Sequence, residues 1–170
     1  MKSARFGSPE LVAIEVAVDG DHDAWAHGNF RFIVSNTPLG DFTDLCSLAA
    51  GARFGRIFVE SSPRRRLPKL DSCAPKEVLW HLHDKFLAAD FSDWATTWDR
   101  EAFLLSELGD SATRDAAVLV ACVDAREMDW VVGRDVNTGI IADCHLTTGL
   151  LNATILQFCT WVEELGVRTT

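Results

Sequence analysis

The sequence predicts an α+β domain in which an antiparallel or mixed β-sheet carries helices packed mainly on one face. Three observations lead there. Two early segments alternate apolar and polar residues, as half-buried strands do; Ala116 to Val123 is apolar at every position; and three segments carry apolar residues at helical spacing. Regular strand–helix–strand alternation is missing, which disfavours a doubly wound parallel fold.

Each element follows from its residues. In Glu10 to Val18, Val12, Ile14, Val16 and Val18 share one side, and Glu15 with two alanines takes the other. In Gly28 to Ser35, Phe30, Phe32 and Val34 oppose Asn29 and Arg31. The loop between these strands, Asp19 to His27, is longer than a tight hairpin needs, and such loops often carry function. Asn36 to Gly40 reads as a turn. Asp41 to Arg53 reads as a short helix with Phe42, Leu45 and Leu48 inward, and Gly55 to Glu60 as a strand around Ile57, Phe58 and Val59. Ser61 to Ala74, with Pro63, Arg64, Arg65, Arg66 and Pro68, reads as an exposed connector.

A helix begins at Pro75 with Val78, Leu79, Leu82 and Phe86 inside. Ser92 or Asp93 caps a second, with Trp94, Trp98, Ala102 and Leu105 on one face and Gly109 as its stop. The apolar run Ala116 to Val123 suits a central strand covered on both faces. Met128 to Gly133 and Thr138 to Leu146 form two more strands around a turn at Arg134 to Asn137. The last helix is capped at Thr147 or Thr148, buries Leu151, Ile155, Phe158, Val162 and Leu165, and stops at Gly166. No repeat, low-complexity tract or boundary divides the chain, so residues 1–170 are expected to form a single domain.

Charge narrows the function classes. The net charge is −9: residues 1–60 contribute −3, residues 61–76 contribute +4, and residues 77–170 contribute −10. An acidic body attracts cationic partners and repels nucleic acid, although the same charge also serves solubility alone. The five cysteines are scattered, and three lie in apolar stretches, as expected of buried thiols in a reducing compartment. No signal peptide and no membrane-length apolar run is present, so a cytoplasmic protein without membrane contact is expected.

Catalytic and metal motifs were sought and not found. Asp19, Asp21 and Asp23 begin like a calcium loop, but Ala24 and Phe30 stand where it needs glycine and glutamate. His81 and His83 are two residues apart on a helix, roughly 200° around its axis, and cannot share an ion. His22 and His27 share the first loop without a cysteine pair to complete a zinc or copper site. Cys144 and His145 adjoin on a strand and point to opposite faces, so they form no dyad. Arg64 to Arg66 reads as a solvated stretch more readily than as a phosphate site on an acidic body. No cofactor, metal or catalytic residue is therefore expected. Two acidic stretches remain as protein-docking surfaces: Asp19, Asp21 and Asp23 beside Trp25, with Asp41 and Asp44 near them; and, more weakly, Asp124, Glu127 and Asp129 around Trp130.

Phe6-Gly7-Ser8-Pro9, the strand Leu11 to Glu15, Trp25 before Gly28-Asn-Phe, Ile33-Val-Ser-Asn, Leu39-Gly40-Asp41 and Ser47-Leu48 together resemble the opening of the immunity protein 42 family. Later residues agree in general pattern: an apolar strand, an acidic stretch with Trp130, another strand and an apolar terminal helix. Residues 61–74 do not align. The resemblance implies an immunity protein, encoded beside a bacterial polymorphic toxin, that neutralises it by direct binding. The toxin would be its partner, with cationic nucleases a common class, and no catalytic role would transfer. The competing classes are a small enzyme without a readable motif, marked by a deep pocket of titratable groups, and a dimeric adaptor or structural protein, marked by an apolar face repeated across a two-fold axis.

Overall fold

A computed structural model describes residues 2–18, 26–43, 45–87, 102–109, 118–125 and 128–166. The architecture is α+β, with two antiparallel sheets and three α-helices among the described residues. Strands β1 (Lys2–Gly7), β2 (Val12–Val18), β3 (His27–Val34) and β4 (Thr37–Leu39) lie in that order, and β5 (Leu45–Ser47) pairs with the other end of β3. A second sheet is the meander β6 (Val118–Ala125), β7 (Met128–Asp135) and β8 (Ile141–Thr147). The helices are α1 (Leu48–Glu60), α2 (Pro75–Leu87) and α3 (Leu150–Glu164).

The second sheet separates two cores. On one face, Val120, Val131, Ala142, Cys144 and Leu146 join the valines of β2, Phe30, Phe32 and the inner sides of α1 and α3. On the other, Val123, Trp130 and Val132 meet Val78, Leu79 and Leu82 of α2, with Leu70, Ala102 and Phe103. The strand that forms in the expected apolar run, β6, buries Val120 in the first core and Val123 in the second. It is an edge strand and not a central one, because consecutive hairpins order the sheet as β6, β7, β8.

Several expectations are corrected. No strand was expected at the polar N-terminus, yet β1 forms along β2 in a register from Lys2 opposite Val18 to Gly7 opposite Ala13; an edge strand needs only one apolar face. The turn at 36–40 is tighter than expected. Ser35 and Asn36 both take positive φ (49° and 61°), the primed geometry that twists with its strands, and Thr37 already pairs with Val34.

The helix expected from Asp41 and the strand expected from Gly55 are both overturned. Residues 45–47 pair with β3, leaving Leu45 62% exposed, and one helix then runs to Glu60. Ser47 caps it, its hydroxyl accepting from the Ala50 N–H at 3.2 Å. Gly51, inside the expected helix, and Gly55, the expected start of a strand, form its contact face. A Cβ at Gly51 would overlap the Leu108 carbonyl, and one at Gly55 would lie 2.8 Å from the Cys159 sulfur. Close packing on α3 and on the turn at Leu105–Gly109 overrides the β-favouring run Ile57 to Val59.

Residues 61–74 are not an exposed connector either. Two short 3-10 turns (Ser62–Arg64 and Pro68–Leu70) carry Arg65 and Leu70 inward, each 1% exposed. The Arg65 guanidinium lies over the Phe58 ring, 4.1 Å from its centroid, and donates to the Asn152 side-chain oxygen at 2.7 Å. Arginine was read as solvated from its charge. Here an aromatic face and an amide give that charge a place inside, and the segment is tied to α1 and α3.

The helix beginning at Pro75 forms with Val78, Leu79 and Leu82 buried, and α3 buries Leu151, Ile155, Phe158 and Val162 as expected. Its N-cap is Gly149, with φ 88°, one to two residues beyond the expected threonines. The Phe86 side chain lies outside the described residues, as do Ser92, Asp93, Trp94 and Trp98; Ala102 and Leu105 are described and buried.

Candidate partner-binding surface

The first docking surface was built on a loop, and Asp19, Asp21, His22, Asp23 and Trp25 lie outside the described residues, as does Asp44. The strands that hold the loop are described. It joins Val18 of β2 to His27 of β3, and β5 pairs with β3 at that end, Ser47 opposite His27 and Leu45 opposite Asn29. The Leu48 N–H donates to the Ala26 carbonyl at 3.2 Å, closing the corner. The base of the loop and β5, far apart in sequence, therefore share one corner of the five-stranded sheet.

Asp41, which precedes β5 in the chain, is exposed and its Oδ1 accepts the Thr43 backbone N–H at 2.9 Å. The Thr43 backbone and side-chain hydrogen bonds hold its carboxyl below the usual aspartate range, so it is anionic at neutral pH. Leu45 stands beside this charge and is the most exposed large apolar residue of the described chain.

Across the sheet runs a row that the sequence reading divided between strands without joining. Arg5, Glu15 and Arg31 stand opposite one another on β1, β2 and β3. Arg5 Nε donates to Glu15 Oε1 at 2.7 Å and Arg31 Nε to Glu15 Oε2 at 2.6 Å. Burial works against the Glu15 charge, and the two guanidiniums override it, leaving the carboxyl below its usual range. Arg31 also lies over the Phe42 ring at 4.8 Å. The signal was available: Glu15 and Arg31 both fall on the polar side of alternating strands, and hairpin register makes them neighbours.

The second acidic stretch is placed differently. Asp129 is only 5% exposed, and its Oδ2 accepts the Gly149 N–H at 3.1 Å, at the start of α3. This is a structural cap: Gly149 has no side chain to serve the helix N-terminus, and a carboxylate suits that end of the helix dipole. Trp130 is buried, stacked on His145 with centroids 5.1 Å apart, and its indole N–H donates to Asp143 Oδ2 at 3.0 Å. Asp124 stands opposite Asp129 in the ladder, and its side chain and Glu127 lie outside the described residues.

Two buried thiols are held neutral. Cys144 donates to the Leu11 carbonyl (3.4 Å) and Cys159 to the Ala52 carbonyl (3.2 Å). Burial pushes their thiols up to about 12 and about 11, far from the thiolate a nucleophile needs. Cys144 and His145 face opposite sides of β8, the former buried and the latter exposed. Among the described residues no three His, Cys, Asp or Glu side chains gather to hold a metal ion. His81 is exposed beside Trp80, itself 61% exposed. No described helix is long and apolar enough to cross a membrane.

Comparison with known proteins extends this geometry. The family model described as immunity protein 42 matches residues 1–161, nearly the whole chain. The fold is similar to the crystal structure of CdiI from Burkholderia dolosa AUO158, with a TM-score of 0.72 at 12% identity over 93% of this chain and 99% of that one. Among curated proteins none matches significantly.

Proposed function

We propose that this chain, which belongs to the immunity protein 42 family and neutralises a cognate toxin, does so by direct occlusion of a cationic toxin, with nuclease activity the best candidate for what is blocked. The observation that carries the reading is the corner of the five-stranded sheet. There the pairing of β5 with β3 gathers an anionic Asp41, an exposed Leu45 and the base of the loop bearing Asp19, Asp21, Asp23 and Trp25. Carboxylates around apolar anchors steer a cationic partner and then exclude water from the contact.

The chain itself makes and breaks no bond in this reading. The raised thiol pKa values of Cys144 and Cys159 support that, since both sulfurs are neutral and buried. Their free state suits the reducing cytoplasm, where the protein acts. A net charge of −9 disfavours binding to nucleic acid or anionic lipid. Asp124 and Glu127 form a secondary contact; Asp129 is engaged at the start of α3 and contributes through stability.

The test is co-expression with the product of the adjacent reading frame. Wild-type chain should rescue growth and co-purify with it. Exchanging Asp21 and Asp23 for Ser and Trp25 for Ala should weaken the complex at least tenfold in a kinetic binding assay. Unchanged affinity would remove the corner from the contact, and failure of the wild type to bind would remove occlusion itself.

A further inference from the structure

We infer that a cleft at the opposite end of β2 is the socket for one aromatic or branched apolar side chain of the toxin, delivered from a cationic segment. The inference rests on the occlusion reading above and adds a second contact to it.

The cleft holds about 270 Å³, between the β1–β2 turn and the first two turns of α3. Gly7, Leu11, Val12, Leu146, Leu150 and Ala153 supply most of its wall, and no charged residue lines it. A closed apolar cavity of about 150 Å³ already accepts benzene, so a phenyl or leucyl side chain has room here. Two exposed large apolar residues face this one space: Leu11 is 36% exposed and Leu150 is 45% exposed. Apolar side chains scattered singly over a surface need no explanation, whereas two on one concave wall suit an apolar occupant.

Both walls are held rigid. The turn carrying Leu11 is pinned by Leu11 N–H to Ser8 O (3.0 Å), by Ser35 N–H to Leu11 O (2.8 Å) and by Asn36 N–H to Pro9 O (2.6 Å). Leu150 opens α3 directly after the Gly149 N–H that Asp129 holds. The two leucines are thus presented in place, with little ordering entropy left to lose on binding.

Charge selects the occupant. Ser8, Thr154 and Gln157 add polar atoms to the lining but no charge to pair with an ionised group, while Glu10, exposed and next to Leu11, stands on the turn. With a net charge of −9 behind it, the turn favours an apolar side chain that has a lysine or arginine beside it. The seven residues of β2 span roughly 20 Å between this cleft and the acidic corner, within reach of one protein partner. The two ends then divide the work: carboxylates at the corner set the association rate, and the filled cleft sets dissociation.

Kinetics against the adjacent reading frame's product separate the two. Ala153→Trp fills the cleft from an exposed position, and Leu11→Ser removes half of its apolar rim. Each should raise the dissociation rate tenfold or more while the association rate stays within twofold. The Asp21 and Asp23 exchange should do the reverse. If Ala153→Trp disturbs folding by circular dichroism, Leu11→Ser alone carries the readout. Unchanged dissociation in the folded variants overturns the socket and leaves occlusion standing, whereas absence of wild-type binding overturns both. A concentration-dependent dimer of the free chain that Ala153→Trp dissolves, with toxin kinetics unchanged, would assign the cleft to a second copy and overturn it as well.

Discussion

Asp41 and Asp129 carry the same carboxylate in similar settings, each in an acidic stretch beside an aromatic residue, and the fold uses them in opposite ways. Asp41 is exposed and tied to its own turn through Thr43. Asp129 is turned inward and spends its oxygen on the first N–H of α3. The difference lies in what the backbone leaves undone nearby. A helix that starts on glycine needs an acceptor from elsewhere, and a residue of the neighbouring strand β7 supplies it. A turn that caps itself needs nothing. Acidic sequence is therefore evidence of a docking surface only where no backbone donor claims the charge.

The contrast can be broken or sharpened, and the largest effects belong to the interior. Gly51→Ala, which forces a methyl onto the Leu108 carbonyl, should cost about 3 kcal/mol in urea unfolding; a loss near zero would show that α1 can shift away. Asp129→Ala should cost about 2 kcal/mol by leaving the Gly149 N–H without this acceptor, and Asp129→Asn should recover part of it. Toxin affinity per folded molecule should be unchanged in Gly51→Ala. Asp41→Ser should do the opposite, leaving the unfolding midpoint in place and slowing toxin association severalfold, more at low salt than at high.

A smaller effect is expected from Glu15. Its carboxyl titrates below the usual range in the folded chain, so the folded state binds protons less readily than the unfolded one. The stability it contributes is present above the unfolded pKa of about 4.3 and drains away as pH falls through the lower folded value. Glu15→Gln should flatten that part of the acid-unfolding curve, and an unaltered slope between pH 5 and pH 3 would show that the Arg5–Glu15–Arg31 row adds nothing.

The alternating strands and the stripes of α2 and α3 were legible because each rests on a period of two or 3.6 that any covering layer would require. Net charge, the absence of nucleophile and metal motifs, and the resemblance of residues 6–48 were enough to indicate an immunity protein. Tertiary packing decided the rest. Gly55 reads as the start of a strand until α3 comes close enough to need its missing side chain. Arg65 signals solvent until Phe58 and Asn152 surround it. The cleft had no local signature at all, since Leu11 and Leu150 meet only after β2 and α3 are packed. Periodicity reports which side of an element is covered; what covers it, and which space is left open, depends on residues that only the folded chain brings together.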